Sequence, residues 1–106
     1  MIIAVSSTGH SLESQLDKQI DRSAYFLVID SDTMSLIKAI PNPYASSKEL
    51  IRHLNELKVK ALLTGDCSDE IADSFKMNGI EIYRGYPGFS VRAAVQNFKE
   101  QFPALR

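Results

Sequence analysis

The sequence predicts an α/β domain: a mixed five-stranded sheet with about three helices packed on it. Three observations lead there. The segments "IIAVS" (2–6), "YFLV" within 23–30 and "VKALL" (59–63) are dense in β-branched and apolar residues with almost no alternation, as in strands buried on both faces. Two strand-like segments, 23–30 and 35–40, are joined closely enough to form an antiparallel hairpin. Beyond Ser46, helical and strand-like patterns alternate, which implies right-handed crossovers and parallel strands.

Taken in order, residues 2–6 form the first strand. Residues 7–22, "STGHSLESQLDKQIDR", are polar and without a clear element, a length that in a compact domain marks a functional or mobile loop. "SAYFLVID" (23–30) is the second strand, and "SDTM" a turn whose Ser and Asp accept local backbone hydrogen bonds. "SLIKAI" (35–40) is the third, alternating Leu36, Lys38 and Ile40 with Ser35, Ile37 and Ala39. "PNPY" (41–44) breaks the pattern. Ser46 then caps a helix, with Glu49 at the capping-box spacing and Leu50, Ile51, Leu54 and Leu57 on one apolar face. "VKALLTG" (59–65) is the fourth strand. A second helix at about 68–78 turns Ile71, Ala72 and Phe75 inward and stops at Asn78-Gly79. "IEIYR" (80–84) is a short fifth strand, "GYPGF" (85–89) a turn. Ser90 caps a last helix in which Val91, Ala94, Val95, Phe98 and Phe102 recur at helical spacing before Pro103 ends it.

Composition narrows the function classes. With 106 residues the chain reads as a single domain, 1–106, with 44% hydrophobic and 24% charged residues. A net charge of −1 with no basic patch argues against nucleic acid as a partner. Apolar runs are too short for a membrane span, and the start of the chain reads as a strand rather than a signal peptide. The one cysteine excludes an internal disulfide and fits a cytoplasmic protein.

In sheets of this kind, ligands bind outside the carboxyl ends of the parallel strands. Here those ends are residues 6–12, 65–69 and 85–90. Cys67 lies in the middle one, at a helix start where unpaired N–H groups favour a thiolate ligand. Asp66, Asp69, Glu70 and Asp73 oppose thiolate formation there; the alternative is a small residue filling a turn. "STGHS" (7–11) and "GYPGFS" (85–90) are candidate anion sites. Gly9, Gly85 and Gly88 permit close backbone approach, and Ser90 begins a helix whose N–H groups are expected to point outward. Arg22 and Arg84 supply positive charge or act as solubility charges. His53 is expected to face solvent. Neither glycine-containing turn is a phosphate loop. Ser6, Ser7, His10 and Asp66 lack any spacing that supports a hydrolytic set, so no enzyme activity is expected.

"MIIAV", "LDKQIDRSAYFLVID", "NP", "LKVKALLTGD" and "GIEIYRGYPGFSVRAAVQNF" together resemble the dinitrogenase iron–molybdenum cofactor biosynthesis family, the small domain of NifX type also found at the C-terminus of NifB proteins. The resemblance covers almost the whole chain. It implies a ribonuclease-H-like three-layer fold, sheet order 3-2-1-4-5, with strand 2 antiparallel. It also implies non-catalytic binding or carriage of a metal–sulfur cluster, of iron–sulfur or iron–molybdenum type, or of its precursor. Partners would be cofactor-assembly proteins, and the chain a monomer or homodimer. Strand 1 beside strand 4 would bring His10 next to Cys67, making these two the metal-ligand candidates; the alternative for His10 is a solvent-facing histidine in a mobile loop. Gly9, Asp66, Gly85, Gly88 and Ser90 would line the same cleft.

Two departures stand out. The family often has His-Phe-Gly-Arg before the second strand, where this chain has Gln19, Ile20, Asp21 and Arg22. It usually has a Gly-rich turn and Gly-Pro after the fourth strand, where this chain has Asp66, Cys67, Ser68 and Asp69. The loop at 42–47 lacks the family's run of glycines. The alternative function is a cluster-free protein-interaction or small-anion-sensing module on the same fold.

Overall fold

A computed structural model describes residues 1–18, 20, 23–41, 47–86 and 88–101, except the side chain of Ser47. The element order is β1 (Ile2–Ser7), β2 (Tyr25–Asp30), β3 (Ser35–Pro41), α1 (Ser47–Glu56), β4 (Ala61–Leu63), α2 (Asp69–Met77), β5 (Glu81–Tyr83) and α3 (Val91–Gln101). One five-stranded sheet has the order β3-β2-β1-β4-β5. β2 runs antiparallel to both β1 and β3, while β1, β4 and β5 are parallel. The mixed α/β sheet and its order are those expected.

Burial on both faces explains the unalternating strands. Ile3 through Ser7, Phe26 through Ile29 and Ala61 through Leu63 are buried without a break. On one face Ile3, Val5, Leu27, Ile29 and Leu63 pack with Val91, Ala94, Val95 and Phe98 of α3. On the other, Ala4, Phe26, Val28, Ile40 and Leu62 pack with Leu50, Ile51 and Leu54 of α1 and Phe75 of α2. Helices therefore cover both faces, as β-α-β crossovers require.

The caps follow the sequence. Ser68 Oγ accepts from Ile71 N–H at 3.2 Å, and Ser90 Oγ from Ala93 N–H at 3.1 Å. Asn78 is the C-cap of α2, and Gly79 follows at φ 84°, where glycine escapes the Cβ penalty. Ser46 at the start of α1, and Phe102 with Pro103 at the end of α3, lie outside the described residues.

Three local expectations change. The strict alternation of β3 fails because a bulge intervenes. Val28 pairs with Lys38, but its neighbour Ile29 pairs with Leu36, leaving Ile37 as the extra residue. Leu36 therefore points to the α3 face, opposite Lys38 and Ile40. His53 does not simply face solvent: it is half-buried, with Nε2 3.4 Å from Lys38 Nζ. Within the expected loop 7–22, the described residues 7–16 are also more ordered than an irregular loop. Ser7 pairs with Leu16 and Gln15 with Ser90 in antiparallel bridges.

Candidate functional site

Parallel register brings the ends of β1, β4 and β5 level, since Val5 pairs with Leu63 and Leu63 with Tyr83. The next residues continue this edge. Thr64 donates its N–H to Tyr83 O at 3.0 Å, and Gly85 to Gly65 O at 3.3 Å. Ser6 and Thr64 are both fully buried, and Ser6 Oγ donates to Thr64 Oγ1 at 2.9 Å. Thr64 Oγ1 donates in turn to Asp66 O at 3.3 Å. Every buried side-chain N or O among the described residues has a hydrogen-bond partner.

The chain crosses this edge on itself. Asp17 donates its N–H to Ser6 O at 3.0 Å and accepts from Gly65 N–H at 3.2 Å. Asp17 Oδ1 accepts from Lys18 N–H and Oδ2 from Ala24 N–H. Leu16, on one side of the crossing, is buried in the α3 layer; Ile20, on the other, is buried in the α1–α2 layer. Gly65 is what allows the approach. A Cβ there would lie 2.9 Å from Asp17 O, 3.0 Å from Lys18 O and 3.1 Å from Lys18 Cα. The crevice expected between β1 and β4 is thus bridged by the chain's own backbone. Sequence reasoning missed this strap; the one signal was a glycine directly after a buried strand.

Cys67 follows in the turn before α2, half-buried against the α1–α2 layer. Its N–H donates to Asp66 Oδ1 at 2.8 Å. Burial pushes the thiol above its ordinary value of 9.0; Arg84 pulls it down, and the Asp66 and Asp69 carboxylates push it up. Arg84 Nη1 lies 2.9 Å from Asp69 Oδ1. That hydrogen bond pushes the guanidinium up from its ordinary value, and the Asp69 and Asp66 carboxylates add to the effect. The sequence treated Arg84 as a cleft or solubility charge; the fold pairs it with the first acid of α2. Arg22 lies outside the described residues, as do Gln19 and Asp21.

His10 is exposed, and its ring meets Tyr25 edge-on at 5.9 Å. Tyr25 packs against the α3 layer, whereas Cys67 packs against the opposite one. Gly9 sits in a small turn whose hydroxyls are mutually engaged: Ser7 Oγ donates to Gly9 O and accepts from Gly9 N–H. Among the described residues, no group of three or more His, Cys, Asp or Glu side chains is placed to hold a metal ion.

The α3 N-terminus corrects one expectation. Its N–H groups do not point outward for an anion, because the 8–18 segment takes them. Val91 N–H donates to Ser14 O at 2.8 Å and Arg92 N–H to Leu12 O at 2.9 Å, while Ala93 N–H goes to Ser90 Oγ. Arg92 Nε adds an ion pair with Glu13 at 2.8 Å. Gly85 and Gly88 are exposed, at φ 98° and 81°, so they serve the turn between β5 and α3. Hydrolytic assembly is likewise not seen among the described contacts: Ser6 is tied to Thr64, Ser7 to Gly9, and His10 to Tyr25. A groove of about 940 Å³ runs between α1 and α2, lined by Lys48, Arg52, Asn55 and Ser74 among others, and includes none of these residues.

A three-layer α/β domain with ligand-class side chains at the carboxyl edge of a 3-2-1-4-5 sheet is the class that emerges. Residues 1–101 match the family model for dinitrogenase iron–molybdenum cofactor proteins, and the chain belongs to that family. Among solved structures it is similar to the apo form of the orange protein from Desulfovibrio gigas: 25% identity, TM-score 0.82, covering 94% of this chain and 88% of that one. A Thermotoga protein provisionally described as NifB shares the fold at 21% identity and TM-score 0.77, covering 93% and 87%. So does a Methanocaldococcus jannaschii protein provisionally described as a dinitrogenase, at 20% identity and TM-score 0.64, covering 92% and 89%. No curated protein matches the chain. No described helix is long and apolar enough to cross a membrane.

Proposed function

We propose that this domain binds or carries a metal–sulfur cluster, of iron–sulfur or iron–molybdenum type, or a cluster precursor, without catalysing a reaction, during cofactor assembly in the cytoplasm. Family membership across residues 1–101 carries the reading. Cys67 is the proposed protein ligand, with His10 the second candidate and Asp66, Gly9, Gly85, Gly88 and Ser90 bordering the edge. A carrier must release its cargo, and a single thiolate fits that need better than a closed chelating set. Binding would cost the proton that burial and the two carboxylates hold on the thiol, while Arg84 offsets the charge that develops.

The test is anaerobic reconstitution with iron and sulfide, for wild type and Cys67→Ala side by side, read by visible absorbance and bound metal per chain. Binding by wild type alone supports the reading. Binding by neither overturns iron–sulfur carriage, and equal binding by both overturns Cys67 as ligand.

One observation favours a second reading. A thiol pushed upward at a turn with Asp66 and Asp69 is suited to staying protonated. In that case the domain is a cluster-free interaction or anion-sensing module on the same fold. Absence of reconstitution together with capture of a cofactor-assembly protein would favour it.

A further inference from the structure

We propose that the groove between α1 and α2 docks an acidic, extended peptide segment of a partner protein. The groove, of about 940 Å³, is lined along α1 from Lys48 to Glu56, and by Ser74 and Asn78 of α2. At the rise of an α-helix this stretch of α1 is about 12 Å long, which takes about four residues of extended chain. Helix periodicity sorts the lining. With Leu50, Ile51 and Leu54 turned to the sheet, Lys48 and Asn55 fall on the flank of α1 towards α2, and Arg52 on the crest beside them. Glu49 and His53 fall on the other flank, where His53 meets Lys38 of β3, and Glu56 on the crest beside them.

The cations are open to a partner. Lys48 and Arg52 are exposed, and neither side chain makes an ion pair or hydrogen bond among the described residues. They stand one helical turn apart, about 5–6 Å between Cβ atoms. Alternate residues of an extended chain share one side at about 7 Å, so two carboxylates spaced by one residue match this pair. The remaining groups suit a peptide backbone better than a bare ion. The Asn55 and Asn78 carboxamides and the Ser74 hydroxyl both donate and accept. Asn78 Nδ2 donates to Ser74 O at 2.8 Å, which leaves Asn78 Oδ1 as an acceptor. Ile51 is the one apolar side chain among the described lining residues, and it is buried, so an amphipathic helix would find no apolar floor here.

Glu49 and Glu56 also border the groove, so its outer edge opposes an acidic ligand and confines the partner's carboxylates to the α2 side. The face is separate from the cargo edge. α1 leads into β4, and α2 leads from β4 into β5, so both helices run back from the carboxyl edge to the amino edge of the sheet. Asn55, Ser74 and Asn78 therefore lie towards the amino edge, away from the Cys67 turn. Docking here leaves that turn uncovered, and the proposal stands independently of any cluster.

The test is titration of the nitrogen-15-labelled full chain with an oligoglutamate peptide at low salt, followed by backbone and side-chain amide NMR. Saturable shifts at Asn55, Ser74 and Asn78 are expected, with Val5 and Leu63 unmoved. Lys48→Gln with Arg52→Gln should weaken binding about tenfold, and Glu56→Gln should tighten it about twofold. Salt at about 1 M should abolish it. Unchanged resonances at Val5 and Leu63 in each variant show that the fold is kept. No saturable shift in the groove, or binding unaltered by the double variant, overturns the proposal. So does equal binding of oligoglutamine of the same length, which would remove charge from the account. Saturation of the same residues by inorganic phosphate alone, with no gain from the peptide, overturns it in favour of a simple anion site.

Discussion

Gly65 and Asp17 are held backbone to backbone: Gly65 N–H reaches Asp17 O at 3.2 Å, and a Cβ on Gly65 would come within 2.9 Å of that oxygen. Gly65→Ala should therefore destabilise the fold by about 1–3 kcal/mol, through overpacking against backbone that cannot swing aside. Urea unfolding measures the loss, and amide exchange at Asp17 locates it. Gly85→Ala, with open space around it, strains only its own positive-φ backbone and should leave Asp17 exchange unchanged.

The thiol of Cys67 gives a pH prediction with a defined sign. Its folded value is raised above the ordinary 9.0, first by burial. A raised value means that the fold favours the protonated thiol. This contribution is fully present below pH 9 and is lost as pH climbs through the folded value. Iodoacetamide labelling against pH should therefore have its midpoint above 9. Arg84→Ala, which removes the cation, should move that midpoint higher still, and Asp69→Ala should lower it. A midpoint unmoved by both variants would contradict the electrostatic account.

The pair of Arg84 with Asp69 is exposed, with Asp69 at 90%. Solvent screening makes such a pair a weak contributor to stability. Arg84→Ala should leave the urea midpoint near that of wild type, so its effect on Cys67 labelling can be read without a folding defect.

Ser68→Ala removes the acceptor for Ile71 N–H at the start of α2. The expected loss is about 1 kcal/mol. Ser68→Asp should keep the cap and most of the stability, and by adding negative charge beside Cys67 it should slow thiol labelling at a given pH. Thermal unfolding and labelling kinetics together check both effects.

Phe98→Ala tests the α3 layer. Phe98 is fully buried and meets Tyr83 of β5 edge-on at 5.0 Å. Removing the ring should cost about 3–5 kcal/mol. That is large against the total stability of a domain this size, so a lowered denaturation midpoint or an unfolded chain is the expected result.

Much of this protein is determined by local pattern. Strands buried on both faces must be uniformly apolar, so Ile3 to Val5, Phe26 to Ile29 and Ala61 to Leu63 declare themselves. Caps act within three or four residues, so Ser68, Asn78-Gly79 and Ser90 are legible as well. The place of Cys67 in the turn between a strand and a helix is legible too, because strand end and helix start are both local signals.

Tertiary structure decided the rest, where the partner is remote in sequence. The bulge at Ile37 depends on the pairing of β3 with β2, which strand periodicity cannot register. The amides at the start of α3 look free until Leu12 and Ser14, some 80 residues earlier, supply the carbonyls. His10 and Cys67 follow adjacent strand ends, yet His10 is exposed against Tyr25 while Cys67 packs into the α1–α2 layer, because side-chain direction is set by each turn and not by strand order. Gly65 is the sharpest instance. By itself it reads as the end of a strand; only the return of the chain across the sheet makes its missing side chain the space that Asp17 and Lys18 occupy.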